Sequence, residues 1–311
     1  MTARLPSWDA LELAGAPGDA PAAFCADLTP GSLLAAYRRG LFPMPAPDEY
    51  TRCLNEALFE DLVAAGVVAV LGVGEGAGPG AGGGGAGDVP YEVPYEVAWW
   101  SPDPRPVIGP GRVHLGRRLA RRLRNRLDWW TSVDQDFARV VAGCAAGREQ
   151  HWLTAELGGS LDRLHEEGWA HSVEVWERGE GRPGRPGSAD GDGGEGGEGG
   201  EAGELIGGAF GVQVGPVLSL DSMFHRRPDA SRVALADLSD RFAEAGGLLL
   251  DAQWDSPHVR SLGAATITRD QYLSILGCGD GPAALPTALR PARRLASMLS
   301  GSADAPVWSG D

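Results

Sequence analysis

The sequence predicts an α+β fold: a small N-terminal domain, then a larger one built on a mixed, largely antiparallel sheet flanked by helices. Three observations carry this. Apolar residues recur at helical spacing up to about residue 168, the period then changes to two across three segments, and helix and strand patterns alternate to about residue 278. With 311 residues, 43% of them hydrophobic, the chain can fill one large or two modest cores.

The first helix is expected over 31–39, with Thr29 as cap, Pro30 in the first turn and Gly40 as stop. An apolar segment follows at 41–45. A Gly/Ala-rich run at 72–88 reads as a flexible insertion, with a short helix at 55–70 ahead of it. Residues 98–108 contain WWSPDPR and lead to an arginine-rich helix at 112–126. A strand is expected at 128–133. Asp134 is placed as the cap of a helix burying Phe137, Val140, Val141 and Cys144. Thr154 caps another that buries Leu157, Leu161 and Leu164, with Gly168 at its end.

The strand at 169–176 puts Ala170, Ser172, Glu174 and Trp176 on one face, with His171, Val173 and Val175 on the other. Strands at 205–214 and 216–220 follow a second, disordered insertion at 179–203, which replaces a hairpin turn. A polar loop at 220–231 leads into a helix at 229–245, then a strand at 248–253. Two short helices flank a last strand at 264–268. The Pro/Ala/Ser-rich stretch 279–311 reads as a loose tail. Domain boundaries are therefore expected near residues 130 and 278.

The formal charge of −15 argues against a nucleic-acid partner until its distribution is considered. Residues 48–96 and 179–204 together supply thirteen of the fifteen net negative charges. The opposite extreme is 112–126, where seven of fifteen residues are arginine and none is acidic. Leu115, Leu119 and Leu123 fall at i, i+4 and i+8, leaving Arg117, Arg118, Arg121, Arg122 and Arg124 on other faces. Such a helix buries leucines and presents guanidinium forks to phosphate, or else pairs with the protein's own acids. All 27 basic residues are arginine, so the choice of arginine over lysine carries no weight.

Four cysteines without CxxC spacing and six histidines without ligand spacing point to neither a disulfide framework nor a metal centre. No stretch approaches eighteen apolar residues, and a signal-peptide pattern is lacking, so a cytoplasmic protein is expected. Chemistry concentrates elsewhere. Asp251 and Gln253 sit two apart in an apolar strand, and Glu174 lies mid-strand in HSVEVW. A carboxylate or amide in such a place is hydrogen-bonded, used, or on an edge that meets water.

The blocks LLAAYRRGLFPM (33–44), WWSPDPR (99–105), GCAAGR (143–148), HWLT (151–154), LHEEGWAHSVEVW (164–176), LIGGAFGV (205–212), DSMFHRRPDAS (221–231), LLLDAQ (248–253) and HVRSLGA (258–264) occur in one collinear order. In these blocks the chain strongly resembles the leucyl/phenylalanyl-tRNA–protein transferases. The resemblance implies a C-terminal domain similar to the GCN5-related N-acetyltransferase fold. It implies transfer of Leu or Phe, more weakly Met, from Leu-tRNA, Phe-tRNA or Met-tRNA to proteins with an N-terminal Arg or Lys, feeding N-end-rule degradation. No cofactor or metal is implied, because the tRNA ester is already activated. By position, Asp251, Gln253 and Glu174 match the active-site groups, with the first two orienting the amine and Glu174 in an acidic pocket for the basic acceptor. Trp152, Met44, Asp221, Ser222, Met223 and Phe224 match substrate-binding positions, and the arginine helix matches a stretch that touches tRNA. Met44 stands where some relatives have tryptophan, Asp221 where glutamate is common, His225 where serine is common and His151 where threonine is common. A monomer is expected. The competing readings are an acyl-CoA-dependent N-acyltransferase, which needs a glycine-rich pyrophosphate cradle in place of SMFHRRPDAS, and a non-catalytic tRNA-binding module.

Overall fold

The computed structural model describes residues 8–72, 95–146, 152–178, 203–279 and 284–300. The N-terminal layer contains β1 (Ala23–Phe24), α1 (Pro30–Arg38), β2 (Phe42–Pro45), α2 (Glu49–Ala64), β3 (Ala69–Val70) and β4 (Val97–Trp100). Its strands run in the order β2-β4-β1-β3. Thr29 caps α1 as expected, its hydroxyl accepting from Ser32 N. The helix expected at 55–70 starts earlier, because the Asp48 carboxylate caps Thr51 N, and it ends before β3. The glycine-rich parts of both insertions lie outside the described residues.

The larger layer contains β5 (Arg105–Ile108), α3 (Arg117–Asn125), β6 (Trp129–Val133), α4 (Phe137–Ala145), α5 (Ala155–Glu166), β7 (Ala170–Glu177), β8 (Glu204–Val214) and β9 (Val217–His225). It continues through α6 (Ala230–Glu244), β10 (Leu249–Asp251), α7 (Pro257–Ser261), β11 (Ala265–Ile267), α8 (Arg269–Leu276) and β12 (Arg290–Pro291) to a 3-10 segment, Ala292–Ser300. The sheet order is β11-β5-β10-β9-β8-β7-β6-β12. Every neighbouring pair is antiparallel except β9 with β10, so the fold is the mixed, largely antiparallel α+β arrangement expected. No helix among the described residues is long and apolar enough to cross a membrane.

Two cores cover the faces of this sheet. One joins it to the N-terminal layer through Leu33, Phe42, Trp99, Phe137, Trp176 and Phe210. The other lies under α3, α6 and the C-terminal segment, with Leu119, Leu123, Val173, Leu235, Phe242 and Leu295. The faces read from the 169–176 pattern agree with this division: Ala170 and Trp176 enter the first core, Val173 and Val175 the second.

Several expectations fail for identifiable reasons. β5 already belongs to the large sheet, so the boundary lies before residue 105 rather than at 130. Asp136, not Asp134, caps α4; Asp134 adopts φ 58° and accepts from Ser172 N at 2.8 Å. The polar loop expected from 220 is instead the second half of β9, through His225. Residues 284–297 are not loose, since Ala292, Leu295 and Ala296 are buried against α3 and α6.

Candidate active site

β9 and β10 run side by side only from Val217 to Ser219 and from Leu249 to Asp251. Beyond that, β9 continues for six residues while β10 stops, and a cleft of about 400 Å³ opens between them. Its apolar walls include Ile108, Leu220, Leu235 and Leu262; Asp221, Ser222, Gln253 and Ser256 are its polar lining.

Asp251 closes β10 and is fully buried. Arg105, on the adjoining strand β5, engages it with Nε to Oδ1 at 2.8 Å and Nη2 to Oδ2 at 2.5 Å. The Ser219 and Tyr272 hydroxyls each donate to Oδ2 at 3.2 Å, and Gln253 N donates to Oδ1 at 2.9 Å. Five donors saturate this carboxylate. Burial alone lowers the Arg105 pKa, but the charge of Asp251 and the hydrogen bonds outweigh it, and the guanidinium stays charged.

Gln253 does not continue the strand as expected. It lies two residues past the end of β10 at φ 60°, a left-handed conformation that costs a non-glycine residue free energy and clusters at functional sites. This turn aims its amide across the cleft: Nε2 donates to Ser219 Oγ at 3.1 Å and to Asp221 Oδ1 at 2.7 Å.

Asp221 is the extra residue of a β-bulge. Gly211 pairs with Leu220 and Phe210 with Ser222, leaving Asp221 without an opposite number. Its Oδ1 accepts from Tyr37 OH at 2.8 Å as well as from Gln253. Its Oδ2 is buried and accepts nothing, and Ser222 Oγ beside it is likewise unpartnered. Burial pushes the Asp221 pKa up to about 7; the bonds from Tyr37 and Gln253 pull down, and the nearby Asp251 charge adds to the rise. Burial and the Asp221 charge hold the Tyr37 hydroxyl well above its ordinary pKa, so it remains a donor.

Of the residues singled out from sequence, Gln253, Asp221, Ser222 and Met223 line this cleft, and Asp251 lies buried behind it, joined through Gln253 N. Phe224 points the other way into the first core, and a Cβ at Gly143 would lie 2.7 Å from its ring. Met44 and Trp152 are half-buried against that same core and do not line the cleft. Glu174 is not brought there either. It accepts from Ser132 Oγ at 2.5 Å and Ser172 Oγ at 2.6 Å, and from the backbone N–H groups of Gln135 and Asp136 at 3.4 Å. Burial raises its pKa against the pull of those bonds. β7 stands three places from β10, which at about 4.8 Å per strand is a lateral separation of roughly 14 Å.

Sequence reasoning missed Arg105, Tyr37, Ser219 and Tyr272. The first two lie inside motif blocks, but only the folded chain shows which carboxylate each serves.

α3 buries Leu119, Ala120 and Leu123. Arg122 pairs with Asp229 at 2.7 Å, whereas Arg117, Arg118, Arg121 and Arg124 are exposed and have no acidic partner among the described residues.

A family model described as leucyl/phenylalanyl-tRNA protein transferase matches residues 107–188 and 198–277, and the corresponding N-terminal-domain model matches 26–51. The chain is 34% identical to a leucyl/phenylalanyl-tRNA–protein transferase of Chromohalobacter salexigens, covering 80% of this chain and 71% of that one. It is 36% identical to the enzyme of that name from Shewanella halifaxensis over 57% of this chain and 66% of that one. For the one from Alkalilimnicola ehrlichii the identity is 39%, over 57% and 61%. Against these last two, the match spans slightly less than two thirds of the relative.

Proposed function

Because the chain belongs to the leucyl/phenylalanyl-tRNA–protein transferase family, we propose that it moves a leucyl or phenylalanyl group, and more weakly methionyl, from a tRNA ester to the N-terminal amine of a protein beginning with Arg or Lys. The observation that carries this reading is the unpartnered Oδ2 of Asp221, buried beside an apolar-walled cleft that Asp221 lines, where burial pushes its pKa up to about 7.

The apolar walls receive the donor side chain, and such a pocket discriminates only weakly among hydrophobic residues of similar size. The acceptor arrives largely as an ammonium, because an α-amine titrates at about 7.7–8.0. Asp221 Oδ2 attracts that cation and takes one proton from it. A base of pKa about 7 suits this task better than an unshifted carboxylate. The neutral amine then attacks the ester carbonyl carbon. The C–N bond forms, the C–O bond to the ribose breaks, and the departing oxygen takes the second proton from nitrogen. Gln253 holds the amine through its side-chain carbonyl, its Nε2 already fixed by Ser219 and Asp221. Asp251 acts as a positioning residue: with Arg105 it locks the turn that carries Gln253.

Glu174 enters the scheme as the anchor of β6, β7 and α4 rather than at the reacting atoms. Trp152 and Met44, half-buried against the first core and outside the cleft, take no part in this scheme. The arginines of α3 hold the donor's acceptor stem through backbone contacts, which suits several tRNAs sharing one enzyme.

The test is transfer of labelled leucine from Leu-tRNA to an Arg-starting peptide, with a Met-starting peptide as control. Label is expected on the first alone. No label on either, or equal label on both, overturns the reading.

A further inference from the structure

We propose that the Trp254 ring, on the rim of the reaction cleft, holds the side-chain cation of the acceptor's first residue and so selects Arg and Lys; this rests on the transferase reading above. In that reading the acceptor's ammonium meets Asp221, so the cation of its side chain comes to rest a side chain's length away. No second carboxylate lines the cleft among the described residues. Asp255, next to Trp254 in the chain, is already held by Arg260, which donates from Nε at 2.8 Å. Glu174, expected from sequence to receive the basic group, lies three strands off. A cation seated here therefore needs a partner other than an acid.

Trp254 is such a partner in both place and posture. It follows Gln253, whose φ of 60° turns the chain, and its backbone N–H donates to Ala252 O at 2.6 Å across that turn. One strained turn thus sets the amide that holds the amine and, one residue on, a ring on the wall of the same cleft. The ring makes T-shaped contacts with Phe42 and Trp100, at 5.3 and 4.9 Å between centroids. Yet 38% of the residue stays exposed, so it is fixed and reachable at once.

Tryptophan is the strongest aromatic partner for a cation, and a ring fixed beforehand loses little freedom on binding. The protein uses the same contact internally: the Arg105 guanidinium lies 4.9 Å over Phe42 and 4.5 Å over Tyr272. A planar guanidinium stacks on such a ring and an ammonium is drawn to it as a point charge. Arg and Lys both qualify, and a neutral side chain does not.

The experiment compares the full chain with Trp254→Leu, which keeps apolar bulk without the π face, and Trp254→Phe, which keeps a weaker face. The acceptors are peptides starting with Arg, Lys or citrulline, the neutral isostere of arginine. Transfer and calorimetric binding in the absence of tRNA are both measured. The wild type is expected to favour Arg and Lys over citrulline. In Trp254→Leu, KM for Arg and Lys should rise about tenfold while KM for citrulline and for Leu-tRNA hardly moves; Trp254→Phe should fall between. Because the readout is a ratio within one variant, partial loss of folded protein does not mimic it. A preference for Arg over citrulline that survives Trp254→Leu overturns the proposal. So does a rise confined to KM for Leu-tRNA, which would place the ring against the donor. The calorimetry separates this question from the reaction. A wild type that transfers nothing, yet binds Arg peptides with a preference that Trp254→Leu abolishes, overturns the transferase reading and leaves the Trp254 site standing.

Discussion

The two oxygens of Asp221 live in different surroundings, and the difference has a sign. One is held by Tyr37 and Gln253, the other is buried and bare, and the pKa near 7 lies well above the ordinary 3.8. Between about pH 4 and 7 the folded chain therefore holds a proton that the unfolded chain has lost. Stability falls as pH rises through that window and stays lower above it. Asp221→Asn removes the penalty. It is expected to raise the unfolding midpoint at pH 8, by an amount on the order of 2 kcal/mol, and to leave it unchanged at pH 4. The same variant should lose about 100-fold or more in kcat/KM, together with the rising limb near pH 7, leaving only the titration of the acceptor amine. A variant with the wild-type pH profile would exclude Asp221 as the base. Asp251 and Gln253 were legible in sequence because polar side chains interrupt an apolar run. The bidentate partner Arg105, 146 residues away, was not, and without it a saturated carboxylate reads as a reactive one.

At the scale of elements, β9 and the C-terminal segment were both misread, for opposite reasons. The stretch DSMFH lacks two-residue alternation because the bulge at Asp221 breaks it, so a strand looks like a loop. The C-terminal segment looks loose by composition, yet it is fastened. Asp237 is bound by Arg241 and Arg294, and Arg241 donates to the carbonyls of Pro286 and Thr131. Leu295, fully buried, stands in the same core as Leu119 and Leu123 of α3. Leu295→Ala should cost about 2–5 kcal/mol in urea unfolding. It should also weaken tRNA binding, because α3 loses part of its backing. Wild-type stability would show that the segment merely rests on the surface.

Across the whole molecule, the candidate site is a seam between layers. Arg105 Nη1 donates to Gly40 O at 3.1 Å, and its guanidinium lies over Phe42 and Tyr272. Trp254, on the rim of the cleft, packs against Phe42 and Trp100 of the N-terminal layer. Arg269 donates to the carbonyls of Leu13, Ala16, Pro17 and Ser101, tying α8 to the same layer. Gly40 is a sensitive point: its φ is +76°, and a Cβ there would sit 2.7 Å from Leu273 Cδ2 and 2.9 Å from Tyr272 Cε1. Gly40→Ala is expected to lower the thermal midpoint by several degrees and kcat/KM by about tenfold or more, through displacement of Tyr272 from Asp251. An unaffected variant would mean that the layers are joined elsewhere. The antiparallel run β7 to β9 of the large sheet was visible in the change of sequence period. The seam was not, since period describes each element alone and says nothing of which ones touch.

The extra residue in β9 does more than carry a carboxylate. Before it, odd-numbered Val217 faces the first core; after it, even-numbered Phe224 does, while Met223 packs against the second. Losing that one position would turn the end of the strand inside out, exchanging what each core receives. Mutational drift can therefore trade the amino acid at 221 for another, but it has no small route to a sheet without a residue there. The reactive group and the packing of both cores are inherited together.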